Sequence, residues 1–97
     1  MRLTRTVLAV IGVLLPAAAL AAPPPPGAAS CSGCHASGAG VATAVPRLAG
    51  RAPGEIVVAM QEFRTGKRPA TVMDRIAKGF TDDEIKAIAD WYGAQKD

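Results

Sequence analysis

The spacing of apolar residues in the middle of the chain predicts an amphipathic helix. Ile56 and Met60 are four residues apart and therefore share one face of a helix. Pro53 suits the first turn of a helix, and Gly66 suits the position just after the last turn. We therefore predict a helix over residues 53–65, with Met60 packed in the core.

A second helix is predicted near the C-terminus. Thr81 and Glu84 have the spacing of a capping box, in which each side chain accepts a hydrogen bond from the other residue's backbone amide. The acidic residues after Thr81 favour the positive end of a helix, and the apolar pattern continues to about Ala94. Trp91 is expected to fill the core beside the inward face, which consists of Ile85, Ile88, Ala89 and Tyr92.

The remaining segments are predicted to be short turns and loops. We expect a helical turn over residues 30–36, a loop over residues 37–51, and a further turn over residues 74–78 that Gly79 ends. No alternation of apolar and polar residues typical of a strand occurs after residue 22. The predicted fold class is all-α.

The N-terminal end of the chain has the features of an export signal. It has two arginines, no acidic residue, an apolar run over residues 7–15 and small residues before a cleavage site after Ala21. The wider apolar run over residues 7–22 is broken by Pro16 and is shorter than the roughly 20 residues of a membrane helix, so we expect no stable membrane span after cleavage. An uncleaved signal that acts as an anchor is the alternative. We predict a periplasmic protein with a signal peptide at 1–21, a flexible Pro-rich leader at 22–29 and one domain at 30–97.

The charge balance changes when the signal is removed. The chain carries eleven basic and eight acidic side chains, for a net charge of +3. Two of the basic residues and none of the acidic ones lie in the signal, so cleavage lowers the net charge by two. No nucleic-acid partner is therefore expected. The roughly 76 residues left are few for a self-sufficient core, and domains of this size usually depend on disulfides, a metal or a cofactor.

The two cysteines of the chain, Cys31 and Cys34, are followed at once by His35. A disulfide oxidoreductase also uses a Cys-x-x-Cys pair, but there the pair follows a strand, and none is predicted here. A structural zinc site usually needs four ligands, and the chain has no third cysteine and no second histidine. Covalent haem attachment needs only these residues, since two thiols bond to the vinyl groups and the histidine binds the iron. We predict one haem c, attached through Cys31 and Cys34, with His35 as an axial ligand.

The second axial ligand is expected to be a methionine, because the chain has one histidine and Met1 leaves with the signal. Met60 lies on the apolar face of the predicted helix, so packing in the core is enough to explain a methionine at that position. Met73 instead follows a segment that contains glycine, proline and charged residues, and this composition is typical of a loop that can carry a thioether to the haem. We therefore predict that Met73 binds the iron.

Pro46 is the candidate for a supporting role. A metal-binding histidine usually donates its other ring N–H to an acceptor that fixes the orientation of the ring. Pro46 stiffens its loop, and its carbonyl oxygen is free to accept such a bond. The alternative is that Pro46 only marks a turn.

Basic side chains cluster around Met73 in the sequence, with only Asp74 among them to offset their charge. Such a surface would steer an acidic redox partner and speed association. The alternative is a solvated surface without a partner. The five residues are Arg64, Lys67, Arg68, Arg75 and Lys78.

Together these motifs resemble those of the class I c-type cytochromes. The resemblance rests on residues 31–35, on residues 46–50 and on Met73 ahead of a capped helix. It implies a small all-α fold wrapped around one haem. It also implies that the Pro46 carbonyl accepts a hydrogen bond from His35 and that Met73 is the sixth ligand of the iron.

A narrower resemblance covers residues 60–69 and 71–80. These segments are similar to the cytochrome subunit of flavocytochrome c sulfide dehydrogenase and to related dihaem periplasmic cytochromes, of which this chain corresponds to one half. Such proteins begin with a full helix that packs across the last helix. Residues 23–26 are all proline, so we expect a shortened N-terminal helix and a weaker crossing. The aspartate usual after the histidine is also missing from residues 36–40.

The predicted function is one-electron transfer. With both axial positions of the iron filled by the protein, no site is open for a substrate, so the chain is not expected to be an enzyme. The resemblance implies a non-catalytic subunit that accepts electrons from a sulfide-oxidising flavoprotein and passes them to a downstream acceptor. A free-standing cytochrome that serves another dehydrogenase or a terminal oxidase is the alternative. A haem sensor or peroxidase-like enzyme, in which Met73 is displaceable, is the alternative from another class.

Overall fold

A computed structural model describes residues 9–14, 22–36, 38, 40 and 42–96 of the chain. Most of the predicted signal peptide, including its cleavage site after Ala21, lies outside the described residues, as does part of the predicted loop over residues 37–51.

Four helices and no strand are present in the part of the chain that the structure describes. The all-α fold class is therefore confirmed. Among these residues no helix is both long and apolar enough to cross a membrane. The helices are α1 (Ala28–Cys31), α2 (Pro53–Thr65), α3 (Met73–Ala77) and α4 (Asp82–Ala94).

The two long helices begin and end where local signals predict. Pro53 opens α2, and Gly66 follows it with a φ of 78°, the left-handed conformation that glycine adopts without strain. The capping box of α4 is formed. The Glu84 amide donates to Thr81 Oγ1 at 3.2 Å, and the Thr81 amide donates to Glu84 Oε1 at 3.0 Å.

The core lies between α4, α2 and the short α1. The four residues predicted on the inward face of α4 are all buried. Ile56 of α2 and Ala28 of α1 are buried in the same cluster, and Ala77 of α3 is also buried. Met60 and Trp91 are partly buried against the same cluster, as predicted. The core is built from small and aliphatic side chains, with Tyr92 as its largest member.

The N-terminal segment differs from the prediction. The short helix begins at Ala28, two residues earlier than expected, and Ala28 has no exposed surface. The Tyr92 hydroxyl donates to the Ala28 carbonyl oxygen at 2.5 Å, and Trp91 Nε1 donates to the Ala22 carbonyl oxygen at 2.9 Å. The segment expected to be a flexible leader is therefore held along α4 by side chains that lie more than sixty positions away.

The segment around Met73 also differs from the prediction. Met73 was expected on a loop, with a helical turn over residues 74–78. In the structure Met73 is the first residue of α3, and the helix ends at Ala77. Gly79 follows one residue after the cap, where its amide donates to the Ile76 carbonyl oxygen at 3.0 Å. Helix α3 packs against α2.

We predict that Gly93→Ala lowers the free energy of unfolding by about 2 kcal/mol, because it overpacks the contact between α4 and the start of α2. A Cβ at Gly93 would lie 2.6 Å from Pro53 Cγ and 2.9 Å from the Arg51 carbonyl oxygen. Gly54→Ala is the matched control, since no atom lies within 4 Å of its added Cβ. Denaturant unfolding should show no loss for this control. Equal losses in the two variants would contradict the close approach.

The capping box predicts a pH dependence of stability. Hydrogen bonds from the Thr81 backbone and side chain hold the pKa of Glu84 below 4.5, the value for a free glutamate. Because the folded state has the lower pKa, the stabilisation is present above pH 4.5 and is lost as the pH falls through the folded-state pKa. Glu84→Gln should therefore lower the melting temperature at neutral pH, and its difference from wild type should shrink in acid. A difference that is constant with pH would contradict this assignment.

Candidate haem site

The Cys-x-x-Cys-His segment folds as one compact turn that continues from α1. Cys31 is the last residue of that helix. Its carbonyl oxygen accepts from the Cys34 amide at 3.2 Å and from the His35 amide at 2.9 Å. These bonds bring the two thiols and the imidazole onto one turn. Neither cysteine forms a disulfide; Cys31 is half-buried, whereas Cys34 is exposed.

The imidazole of His35 is oriented by Pro46. His35 Nδ1 lies 2.5 Å from the Pro46 carbonyl oxygen. Because a carbonyl oxygen can only accept, Nδ1 carries the hydrogen and donates. The other ring nitrogen, Nε2, then has its lone pair available for a metal ion, as in metal sites whose histidine is oriented by an outer hydrogen bond.

Cys31 is held against the protein interior. Its side chain packs against the core cluster that includes Ala28 and Tyr92. This burial raises the pKa of the Cys31 thiol above its ordinary value, and hydrogen bonds, including one with the Tyr92 side chain, offset part of the rise. The two cysteines of the turn therefore lie in different surroundings.

The two candidate methionines also lie in different surroundings. Met60 packs against the core cluster from α2. Met73 is half-buried at the start of α3, on a short helix that packs against α2. The role of Met73 as a ligand of the iron stays a prediction.

Comparison with known proteins identifies the family. The chain is 41% identical over 64 residues to the cytochrome subunit of sulfide dehydrogenase of Chlorobaculum tepidum, which is 66% of this chain and 58% of that protein. It is 31% identical over 71 residues to cytochrome c-554(548) of Halomonas halodenitrificans, which is 69% of this chain and 86% of that protein. The chain belongs to the class I c-type cytochromes. Its relatives are cytochromes, which supports electron transfer as the role of the chain.

The chain spans only part of the length of two of its relatives. The cytochrome is 39% identical over 66 residues to the thiosulfate dehydrogenase electron acceptor of Stutzerimonas stutzeri, but the match covers only 31% of that protein. The match to the Chlorobaculum protein likewise covers little more than half of it. No family model matches the chain.

The residues of the cytochrome fit a haem c. Two free thiols and an imidazole with an available Nε2 form the donor set that covalent attachment and iron binding need. Apolar side chains flank Met73 without being buried by the protein: Val72 is 49% exposed and Ile76 is 39% exposed. Among the described residues, no group of three or more histidine, cysteine, aspartate or glutamate side chains could hold a metal ion.

The basic surface near Met73 is weaker than the sequence suggested. Arg64 Nη1 pairs with Asp82 Oδ1 at 2.7 Å, and Arg68 Nη2 pairs with Glu62 Oε2 at 2.8 Å. These two arginines therefore contribute little net positive charge. Three cations, Lys67, Arg75 and Lys78, form no ion pair in the ranges that the structure describes.

The Tyr92 hydroxyl is a contributor to this turn that sequence reasoning missed. The sequence predicted that Tyr92 faces inward, but it did not predict the hydrogen-bond partners of the hydroxyl. The hydroxyl bonds to the Ala28 carbonyl oxygen at 2.5 Å and to Ser32 Oγ at 2.8 Å, and Ser32 lies between the two cysteines. A buried tyrosine usually has a hydrogen-bond partner, so the predicted burial of Tyr92 was a signal that its hydroxyl forms such a bond. Burial raises the pKa of Tyr92, so the phenol stays protonated at neutral pH.

Proposed function

We propose that this cytochrome transfers electrons in the periplasm through one covalently bound haem c with histidine and methionine ligands. We further propose that it works as the cytochrome subunit that accepts electrons from a sulfide-oxidising flavoprotein. The observation that carries the haem proposal is the compact Cys31–His35 turn, with His35 Nδ1 bonded to the Pro46 carbonyl oxygen. The similarity to the Chlorobaculum sulfide dehydrogenase subunit supports the proposed partner.

Each residue of the proposed site has a distinct role. The thiols of Cys31 and Cys34 hold the group by two thioether bonds. His35 would bind the iron through Nε2, with Pro46 keeping the ring in that orientation, and Met73 would be the second protein ligand. When bound, haem c supplies reversible one-electron oxidation and reduction of its iron.

The proposed ligands explain why electron transfer is favoured over chemistry on a bound substrate. With His35 and Met73 as its two protein ligands, the iron would have no position open for a substrate. Methionine also favours the reduced iron and raises the reduction potential. Both properties suit a carrier that accepts electrons from a dehydrogenase.

The proposed cellular location depends on the N-terminal segment. We propose that residues 1–21 are an export signal cleaved after Ala21, and that residues 22–29 and the domain that follows reach the periplasm. Covalent haem attachment in bacteria takes place outside the cytoplasmic membrane, so export and the Cys-x-x-Cys-His segment support each other.

A free-standing carrier is the second candidate function. The similarity to the Halomonas cytochrome supports it, since the match covers 86% of that protein. On this hypothesis the same haem would serve another dehydrogenase or a terminal oxidase. The two candidates share the site and differ only in the partner.

The first experiment is an absorption spectrum of the natively purified protein before and after sulfide is added. The subunit proposal predicts haem bands together with flavin absorbance, and reduction of the haem by sulfide. Haem bands without flavin, and no reduction by sulfide, would favour the free-standing carrier. Absence of haem would contradict both candidates.

Substitution of the two methionines tests the proposed ligand. Met73→Ala should lower the reduction potential by on the order of 100 mV, because the thioether that favours reduced iron is lost. It should also abolish the weak near-infrared band of sulfur-bound ferric haem. Met60→Leu keeps an apolar side chain of similar volume and is the matched control.

The control should keep both the potential and the band. If Met60→Leu lost the band while Met73→Ala kept it, the assignment of the ligand would be reversed.

A further inference from the structure

The hydrogen bonds of Tyr92 have a defined direction. The carbonyl oxygen of Ala28 can only accept, so the single phenol hydrogen is donated to it at 2.5 Å. The Tyr92 oxygen is then free to accept, and the Ser32 hydroxyl, 2.8 Å away, donates to it. All the groups of this short chain of bonds are therefore satisfied.

These bonds hold the backbone on both sides of Cys31. Ala28 is the first residue of α1, and Ser32 directly follows Cys31. The Tyr92 ring is itself fixed, because it is 3% exposed and packs edge-on against Trp91 with ring centroids 4.9 Å apart. The position of Cys31 relative to α4 is thus set by a rigid aromatic side chain.

Cys34 has no comparable support. It is exposed and lies two residues beyond Ser32. Cys31 alone of the two cysteines packs against that cluster. A change at Tyr92 or Ser32 should therefore affect the two thiols unequally.

We propose that Tyr92 and Ser32 are positioning residues that hold Cys31 in place for its bond to the haem, a role that rests on the proposed covalent attachment. That bond forms when the thiol adds across one vinyl group of the haem. A sulfur–carbon bond forms, the carbon–carbon double bond becomes single, and the thiol hydrogen ends on the other vinyl carbon. No external oxidant or reductant is consumed. Tyr92 acts through Ser32, through the Ala28 backbone and through its hydrogen bond with the Cys31 side chain. It forms no bond to the haem and neither gives nor takes the hydrogen that moves in this step.

The test compares hydroxyl deletions in the full chain, expressed with a haem-attachment system. Tyr92→Phe keeps the ring and removes every hydrogen bond of the hydroxyl, and Ser32→Ala removes only the bond between Ser32 and Tyr92. Ser30→Ala is the control for a hydroxyl that is also close to Cys31 but lies outside the Tyr92 network, because the Ser30 hydroxyl donates to the Gly27 carbonyl oxygen at 2.6 Å. Ser32→Thr keeps a hydroxyl and tests rescue. Mass spectrometry of haem-bearing peptides shows which cysteine is attached to the haem. The absorption band of the reduced haem in pyridine shows how many of its vinyl groups have reacted.

We expect Tyr92→Phe and Ser32→Ala each to raise the ratio of chains attached only through Cys34 to doubly attached chains by about fivefold, the effect of one ordinary hydrogen bond. The double variant should not exceed the larger single effect, because both residues belong to one network. Ser32→Thr should return the ratio to that of the wild type, and Ser30→Ala should leave it unchanged.

The results separate this inference from the proposed function. If the wild type carries covalent haem and Tyr92→Phe shows the same ratio of singly to doubly attached chains, the positioning role is overturned and the proposed function is not. An effect of Ser30→Ala as large as that of Ser32→Ala would also overturn it, since any hydroxyl near Cys31 would then suffice. A wild type without covalent haem would overturn the proposed function and this inference together.

Discussion

The small amount of apolar side chain available for burial is the constraint on which the rest of the structure depends. The buried hydrophobic residues of the described chain are three alanines, three isoleucines and one tyrosine. Such a core is thin for a domain of this size, and small domains usually need a further source of stability. A covalently held haem would supply a large apolar surface to the same core. Val72 and Ile76, exposed beside Met73, are apolar surface that such a group could cover.

The N-terminal segment shows how a missing helix is replaced by hydrogen bonds. The resemblance to the family implied a weak crossing between the first and last helices, because four prolines leave room for only one turn of helix. The structure compensates with two adjacent aromatic residues of α4. Trp91 binds the Ala22 carbonyl oxygen, and Tyr92 binds the start of α1 and the residue after its end. Gly27 allows the close contact at the entry to α1, since a Cβ there would lie 2.6 Å from the Phe80 ring.

The predictions made from sequence succeeded where the deciding signal is local. The bounds of α2 and α4 follow from Pro53, Gly66 and the Thr81 capping box, each of which acts within one helical turn. The predictions failed where partners are distant in sequence. Arg64 and Asp82 are eighteen positions apart, so their ion pair could not be inferred from the local balance of charge. The contacts that hold the N-terminal segment join residues more than sixty positions apart, and composition alone suggested flexibility.

The same distinction applies to the two proposed axial ligands. His35 is oriented within its own neighbourhood, because its turn is closed by backbone bonds and its ring is held by the Pro46 carbonyl oxygen. Met73 begins a five-residue helix with no side-chain cap, and a helix this short is not stable by itself. Its position therefore depends on the packing of α3 against α2. The proposed site thus combines a ligand fixed by local bonds with one fixed by tertiary packing. Partial unfolding should accordingly release Met73 before His35.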